Sequence, residues 1–153
     1  MKVSQRISLF AVLVAVCFAS ALASEKPVKI EDLPPAVQRT VQEQSKGATI
    51  RGLTTEVGHG KTVYEVEMIV NGRGKDVSMD ASGAVIEVEE EVALDSLPVA
   101  ARAAIEKAAA GGKIAKVEKV SGGKRILYEA ALRKDGKRSE VRVCADGRSV
   151  SED

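Results

Sequence analysis

The spacing of apolar residues changes along the chain in the same way twice. In two stretches the apolar residues recur on one face of a helix, at Leu33, Val37 and Val41 and then at Leu97, Ala101, Ala104, Ile105 and Ala108. After each stretch apolar and polar residues alternate, and a period of two is typical of strands with one buried face. The pattern therefore predicts a helix followed by antiparallel strands in each half, with Tyr64 and Tyr128 on the side of the sheet that the helix covers.

Residues that favour turns divide the alternating stretches into strands. They are Gly58-His59-Gly60, Asn71-Gly72 and Ser82-Gly83, and then Gly122-Gly123, Asp135-Gly136 and Asp146-Gly147. Each half thus predicts three strands and a short fourth strand, at residues 84–89 and 148–151. Residues 87–95 join the two halves, and their acidic side chains fit either a solvated strand end or a linker.

The two helices have the same predicted start. Asp32 and Ser96 occupy equivalent positions, and we expect their side chains to accept hydrogen bonds from the free amides of a first helical turn. Pro34 and Pro98 fit into that turn because the amide they lack would have no partner there.

A shift of 64 positions aligns the two halves without a gap. Leu33-Pro34 then falls on Leu97-Pro98, and Tyr64-Glu65 falls on Tyr128-Glu129. We infer a duplication with units at residues 32–91 and 96–153, preceded by a linker at residues 24–31. The expected fold class is α+β, a tandem repeat of a helix followed by three to four antiparallel strands. Units this small bury little surface alone, so we expect one pseudo-symmetric domain with both helices on one face of the sheet.

The first 23 residues have the pattern of a signal peptide. Lys2 and Arg6 precede an apolar run over residues 7–19, and Ala21-Leu22-Ala23 matches a cleavage signal. A membrane anchor is the alternative, but the run is shorter than the ~20 residues a spanning helix needs. Val16 before Cys17 disfavours a lipoprotein signal. We therefore expect cleavage near Ala23, a periplasmic or secreted location, and no stable membrane anchor afterwards.

Cleavage changes the composition of the chain. Loss of Lys2 and Arg6 turns a formal net charge of +1 into about −1, so no overall field favours nucleic acid as a partner. Phe10 and Phe18 are lost as well. Cys144 then remains without a second cysteine, and it fits an inert side chain, a reactive thiol or a disulfide between two copies. The expected state is a monomer or a Cys144-linked dimer.

Several short motifs resemble the PepSY-like domains, which are related to the beta-lactamase-inhibitor-like group of exported bacterial proteins. They are the Leu-Pro that opens each helix, the Gly-x-x-Ile that follows it, Tyr-Glu in a central strand, the hairpin Asn71-Gly72 or Asp135-Gly136, and the Ala-Ser-Gly or Ala-Asp-Gly before the last strand. The resemblance covers nearly the whole chain after residue 23. It implies a non-enzymatic protein, with peptidase inhibition or regulation as proposed for the wider family and protein contact through a sheet. It implies no catalytic residue.

No catalytic, cofactor or metal site is predicted. His59 is the only histidine, which excludes a histidine pair within the chain. The segment Gly58-His59-Gly60-Lys61-Thr62 ends like a phosphate-binding loop, but it leads into a predicted strand and lacks the helix N-terminus that would bind an anion. It is interpreted as a hairpin turn.

The outward face of the sheet carries the candidate binding residues. By strand alternation they are Glu65, Glu67, Asp76, Asp80, Glu129, Glu140 and Arg142, and they are mixed with Val63, Ile69, Leu127 and Ala131. One interpretation is a docking surface for a protein with basic and apolar groups, an envelope peptidase being one candidate. The other is an ordinary solvated sheet face. Carboxylates spaced by two along a strand could also hold a cation, so an envelope cation-binding protein is the alternative function. The basic run at residues 133–138 straddles a hairpin tip and is expected to keep a sheet edge soluble.

Overall fold

A computed structural model describes residues 25–58 and 61–151, in which nine antiparallel strands form one sheet whose strand order follows the chain. The strands are β1 (Lys26–Pro27), β2 (Thr49–Gly58), β3 (Lys61–Val70), β4 (Arg73–Asp80), β5 (Val85–Glu91), β6 (Lys113–Gly122), β7 (Arg125–Lys134), β8 (Lys137–Cys144) and β9 (Ser149–Val150). The α-helices are α1 (Pro35–Gln44) and α2 (Val99–Ala109), each preceded by a 3-10 helix, Ile30–Asp32 or Leu94–Ser96. The predicted signal peptide and His59 lie outside the described residues.

The architecture is α+β, with both helices on the same face of the sheet. Two apolar clusters fill the space between the helices and the strands. The first centres on Val37 and Val41 of α1 with Met68 and Met79 of the sheet, and the second centres on Ile105 of α2. Tyr64 packs against the first cluster and Tyr128 against the second, which confirms the predicted orientation of both tyrosines.

Corresponding elements recur at a constant distance along the chain. The bounds of β6, β7 and β8 lie 64 positions after those of β2, β3 and β4. The pairing of β2 with β3 shifts register between Ile50 and Gly52, and the pairing of β6 with β7 shifts between Ile114 and Lys116. A β-bulge thus interrupts the same position of both hairpins.

The expectation that Asp32 and Ser96 cap the helices is wrong. Each residue ends a 3-10 helix, and the N-cap positions of α1 and α2 belong to Pro34 and Pro98, with no side-chain cap hydrogen bond. The Ser96 hydroxyl instead donates to the Ala93 carbonyl at 2.6 Å. Each helix therefore starts later than its apolar pattern suggests, because the preceding buried leucine is in extended backbone between two separate helical segments.

Two segments predicted as connections contribute to the sheet. Residues 87–91 belong to β5, which pairs with β4 on one side and with β6 on the other, so the strand interpretation of this stretch is right. In the predicted linker at residues 24–31, Lys26 and Pro27 form β1 beside β2, and Val28 and Ile30 pack against the first cluster. The helices in the described part of the chain are too short and too polar to cross a membrane.

Candidate functional site

One face of the sheet is left without a helix in the described part of the chain, and we call it the far face. Because side chains alternate across a strand, its residues are the sequence neighbours of those that point into the two clusters. Between β3 and β8 they include Val63, Glu65, Glu67, Ile69, Asp76, Ser78, Glu87, Glu89, Glu91, Lys116, Glu118, Val120, Leu127, Glu129, Ala131, Glu140 and Arg142.

Carboxylates dominate the middle of the far face. We call this group the acidic patch, and it consists of Glu65, Glu67, Asp76, Glu87, Glu89, Glu91, Glu118 and Glu129. Eight of the chain's 22 acidic residues lie in this patch, and strand alternation places Lys61, Arg125, Arg133 and Arg138 on the same face, nearer the strand ends.

The centre of the patch is a close group of three carboxylates on three adjacent strands. Asp76 of β4 lies directly opposite Glu89 of β5, and Glu118 of β6 is diagonal to Glu89. One carboxylate oxygen from each residue lies within 4.8 Å of the other two. Glu118 is only 5% exposed, whereas Asp76 and Glu89 are half-buried. Such a group can coexist only if cations or protons neutralise part of its charge.

Two cationic side chains lie in contact with the patch. The Lys116 ammonium is 2.8 Å from Oε1 of Glu118. The Arg142 guanidinium lies 3.7 Å from Glu89 and donates through Nε to Glu129, its cross-strand neighbour. Arg142, Glu89 and Glu129 are each at most a quarter exposed, so salt screens these contacts less than it screens an exposed salt bridge.

Protons supply the remaining neutralisation. Burial, followed by the charge of Glu118, raises the pKa of Glu89 from 4.5 to about 8. Burial and then Glu118 also raise the pKa of Asp76, while burial and then Asp76 raise the pKa of Glu65. Although partial burial opposes it, the hydrogen bond to Glu118 raises the pKa of Lys116. At neutral pH Glu89 therefore carries a proton for most of the time.

The structure separates the predicted site residues into two groups. Asp76, Glu129 and Arg142 belong to the central network, and Glu65, which accepts a hydrogen bond from Ser78 at 3.4 Å, lies on its flank. Glu67 is exposed on the same flank.

Glu140 and Asp80 lie away from the central network. Glu140 is exposed on β8. The Asp80 carboxylate accepts hydrogen bonds from the Ser82 hydroxyl at 2.5 Å and from the amides of Ser82 and Ala84 at 2.8 and 3.1 Å. These bonds, first of all the one from the hydroxyl, lower the pKa of Asp80. Asp80 thus orders the turn between β4 and β5. Cys144 also lies on the far face, half-buried opposite Leu127.

The sequence interpretation missed the acids of β5 and β6. Glu87, Glu89 and Glu91 lie two positions apart in a stretch that the sequence allows to be a strand or a linker, and this spacing of two is the available signal. Glu118 had no comparable signal, because Val117 and Val120 are both buried on opposite faces of β6 and a bulge precedes them. Only the pairing of β5 with β6 brings these acids together.

The centre of the acidic patch offers carboxylate oxygens to a cation or to the basic side chains of a partner, and these carboxylates already contact the Lys116 ammonium and the Arg142 guanidinium. Three carboxylate oxygens at this spacing fit the ligand preference of a hard cation such as Ca²⁺. Lys116 and Arg142, however, already occupy two sides of the group and would compete with an ion.

Several solved structures share the fold of this chain. A candidate periplasmic protein from Bacteroides eggerthii has a TM-score of 0.63 at 15% identity, over 78% of this chain and 86% of the other. A DUF2874 family protein from Bacteroides ovatus has a TM-score of 0.60 at 19% identity, over 78% and 85%. A BLIP-like protein from Bacteroides fragilis has a TM-score of 0.57 at 21% identity, over 79% and 85%.

These similarities establish that the chain has a BLIP-like fold. No model of a known protein family matches the sequence. No curated protein matches it either.

Proposed function

We propose that the chain is an exported, non-enzymatic protein-binding module whose acidic patch docks a partner with basic and apolar side chains. The main support for this proposal is the group of carboxylates on the far face, which no helix covers in the described residues. A field of one sign on an otherwise nearly neutral protein steers a partner of opposite sign and orients it on arrival.

Apolar side chains within the patch favour a protein over a small ion. Val63, Ile69, Leu127 and Ala131 lie among the acids and are only partly buried. A partner that covers them would gain hydrophobic contact in addition to charge pairing. Protein interfaces combine these two kinds of contact, with an apolar centre and a polar rim.

We also propose that the chain arose by tandem duplication of a PepSY-like unit. The two copies are residues 32–91 and 96–153, and they form one pseudo-symmetric domain. The constant offset of 64 between corresponding strands and the repeated β-bulge support it. The same backbone contact also recurs, since Gly83 lies against the Ala36 carbonyl and Gly147 against the Ala100 carbonyl.

We further propose that the protein is periplasmic or secreted. The signal-peptide pattern over residues 1–23 supports it, and one protein of the same fold has been described as a candidate periplasmic protein. Within that compartment, a peptidase restrained by the far face is the narrower form of the hypothesis, and it rests on the PepSY-like resemblance.

A cation-binding function remains the second candidate, because Asp76, Glu89 and Glu118 place three oxygens within reach of one ion. The geometry favours protein docking over it. An ion would have to displace the Lys116 ammonium from Glu118 and take the proton's place on Glu89.

Photocrosslinking in the native host tests the docking proposal. A benzophenone amino acid at Leu127 is placed among the far-face acids, and one at Glu106 is placed on the exposed surface of α2. We expect a discrete adduct from position 127 only. The double charge reversal Glu65→Lys with Glu67→Lys is expected to reduce it about tenfold, because attraction becomes repulsion.

The matched control carries the same change in charge on the helices, at Glu43→Lys with Glu106→Lys, and should leave the adduct at position 127 intact. An adduct that survives reversal on the far face, or that forms equally well from position 106, would contradict the assignment of the surface. Loss of the adduct on addition of millimolar Ca²⁺ would instead favour the cation site.

A further inference from the structure

In the part of the chain that the structure describes, one edge of the sheet is open along most of strand β8. β8 pairs with β9 only at Arg142 and Val143, whereas β4 pairs with β5 from Lys75 to Met79. Within the described residues no strand lies beside positions 137–141 of β8. Residues 137–140 are all exposed.

Among the described residues, backbone groups along positions 137–141 of the open edge have no strand to pair with. The Cys144 amide donates to the Arg148 carbonyl at 2.9 Å, on the side of β8 that faces away from β7. Backbone groups alternate in direction along a strand, and the pairing of β7 with β8 is regular, so the amides of Arg138 and Glu140 point to the same side. In the first half, Gly74 corresponds to Arg138, and its amide donates to the Glu91 carboxylate at 3.0 Å.

The surroundings of this edge are strongly basic. Arg133 lies directly opposite both Lys113 and Arg138, and Lys134 lies opposite Lys137. Like charges in directly opposed positions destabilise a sheet. None of Lys113, Arg133 and Arg138 forms an ion pair with a carboxylate of the described residues. An acidic segment bound beside these cations would therefore neutralise charges that have no counter-ion among the described residues.

We propose that the β8 edge binds an extended acidic segment of a partner protein, which adds a strand to the sheet. Strand addition of this kind draws affinity from main-chain hydrogen bonds and selectivity from alternate side chains. Arg138 and Lys137 select for acids at the end of the added strand. The chain contains its own example, because the acidic strand β5 fills the corresponding edge of β4.

A second copy of the chain is a poor occupant of this edge. Antiparallel pairing of one β8 with another would bring two basic strands together, and cationic edges prevent such pairing in many sheet proteins. The surface is also distinct from the acidic patch, because it recognises the opposite charge and uses the backbone.

A peptide with the sequence of residues 85–91 is the probe. It is titrated to about 1 mM into the isotopically labelled mature chain, and amide signals are followed by NMR. We expect shifts confined to β8 and its neighbours, and slower hydrogen exchange at Arg138 and Glu140. Peptides with glutamine in place of all glutamates should bind at least about tenfold more weakly, because charge pairing is lost.

N-methylation distinguishes strand addition from simple charge attraction. Methyl groups on alternate amides of one peptide edge should abolish binding, whereas methyl groups on the other edge should leave it intact. Equal binding of the two methylated peptides would overturn the proposal, as would shifts that map to Asp76, Glu89 and Glu118 at the centre of the acidic patch.

Variants of the chain give an independent check. Glu140→Pro removes a donor that points to the open edge and leaves the bonds to β7 in place, so peptide binding should be lost while the circular dichroism spectrum is kept. Arg138→Glu should weaken binding about tenfold, and Lys107→Glu on α2 is the matched charge control. A concentration-dependent dimer that Glu140→Pro dissociates would show that a second copy is the occupant and would overturn the proposed acidic partner.

Discussion

The fold holds a proton on Glu89 at neutral pH. An unfolded chain releases this proton near pH 4.5, whereas the folded chain keeps it up to about pH 8 because of burial and the neighbouring Glu118. Between these values the folded state binds more protons than the unfolded state. The free energy of unfolding therefore falls as the pH rises through this window.

The substitution Glu89→Gln is expected to remove this dependence. The wild-type chain should lose about 1–2 kcal/mol more than the variant between pH 5 and 8.5, a figure discounted for the partial exposure of the carboxyl group. Urea denaturation of both proteins at pH 5, 7 and 8.5 measures it. Asp76 and Glu65 contribute in the same direction in both proteins, so the difference between the two isolates Glu89. Parallel curves would show that Glu89 is not protonated in the folded state.

The last turn of the sheet is held against the start of α2 by a glycine. Gly147 has a φ of +82°, and a Cβ atom at this position would lie 2.7 Å from the Ala100 carbonyl oxygen. Gly136 has a similar φ of +77°, but a Cβ atom there would have no atom within 4 Å. The two positions thus differ in packing and share the same backbone preference.

Alanine at each position separates the two effects. Gly136→Ala should lower the free energy of unfolding by about 1 kcal/mol, which is the backbone cost of a positive φ. Gly147→Ala should cost at least about 2 kcal/mol more, because α2 must move away from the turn. Thermal and urea denaturation measure both. Equal losses would mean that the contact with Ala100 relaxes freely.

Strands with uninterrupted alternation were predictable from the sequence, and β3, β4, β7 and β8 are of this kind. The bulges near Arg51 and Ala115 break the alternation in β2 and β6, so neither their faces nor Glu118 could be assigned. The helix starts were misplaced because a 3-10 helix followed by an extended leucine has the same apolar spacing as a first helical turn. Strand β1 forms only by pairing with β2, more than 20 residues further along the chain, and nothing in the sequence of Lys26 and Pro27 indicates this pairing.

Local alternation also limited how much of the candidate site could be predicted. Asp76, Glu129 and Arg142 were predictable because each lies in a hairpin whose strands and turn are visible in the local sequence. Glu89 and Glu118 come together only through the ladder between β5 and β6, which pairs five positions of each strand. The centre of the acidic patch therefore takes Asp76 and Glu89 from the first half and Glu118 and Arg142 from the second, so it exists only when both halves form one sheet.

Two separate apolar clusters beneath one continuous sheet raise the question of whether the halves unfold together. Each cluster contains one tyrosine, and residues 24–153 contain no tryptophan or phenylalanine. Tyr128→Phe therefore leaves Tyr64 as the only fluorophore, which reports the first cluster, and Tyr64→Phe leaves Tyr128, which reports the second.

We expect a single transition, with both variants giving the same midpoint by fluorescence and by circular dichroism, because the β5–β6 ladder and the contact of Arg142 with Glu89 across it couple the halves. Adding Ile105→Ala to each variant truncates a fully buried side chain of the second cluster and should cost about 2–5 kcal/mol. If the halves are coupled, Tyr64 in the first cluster reports the same loss as Tyr128. A loss seen by Tyr128 alone would mean that the halves are separate folding units, and the central carboxylates would then lack a fixed geometry whenever one of them opened.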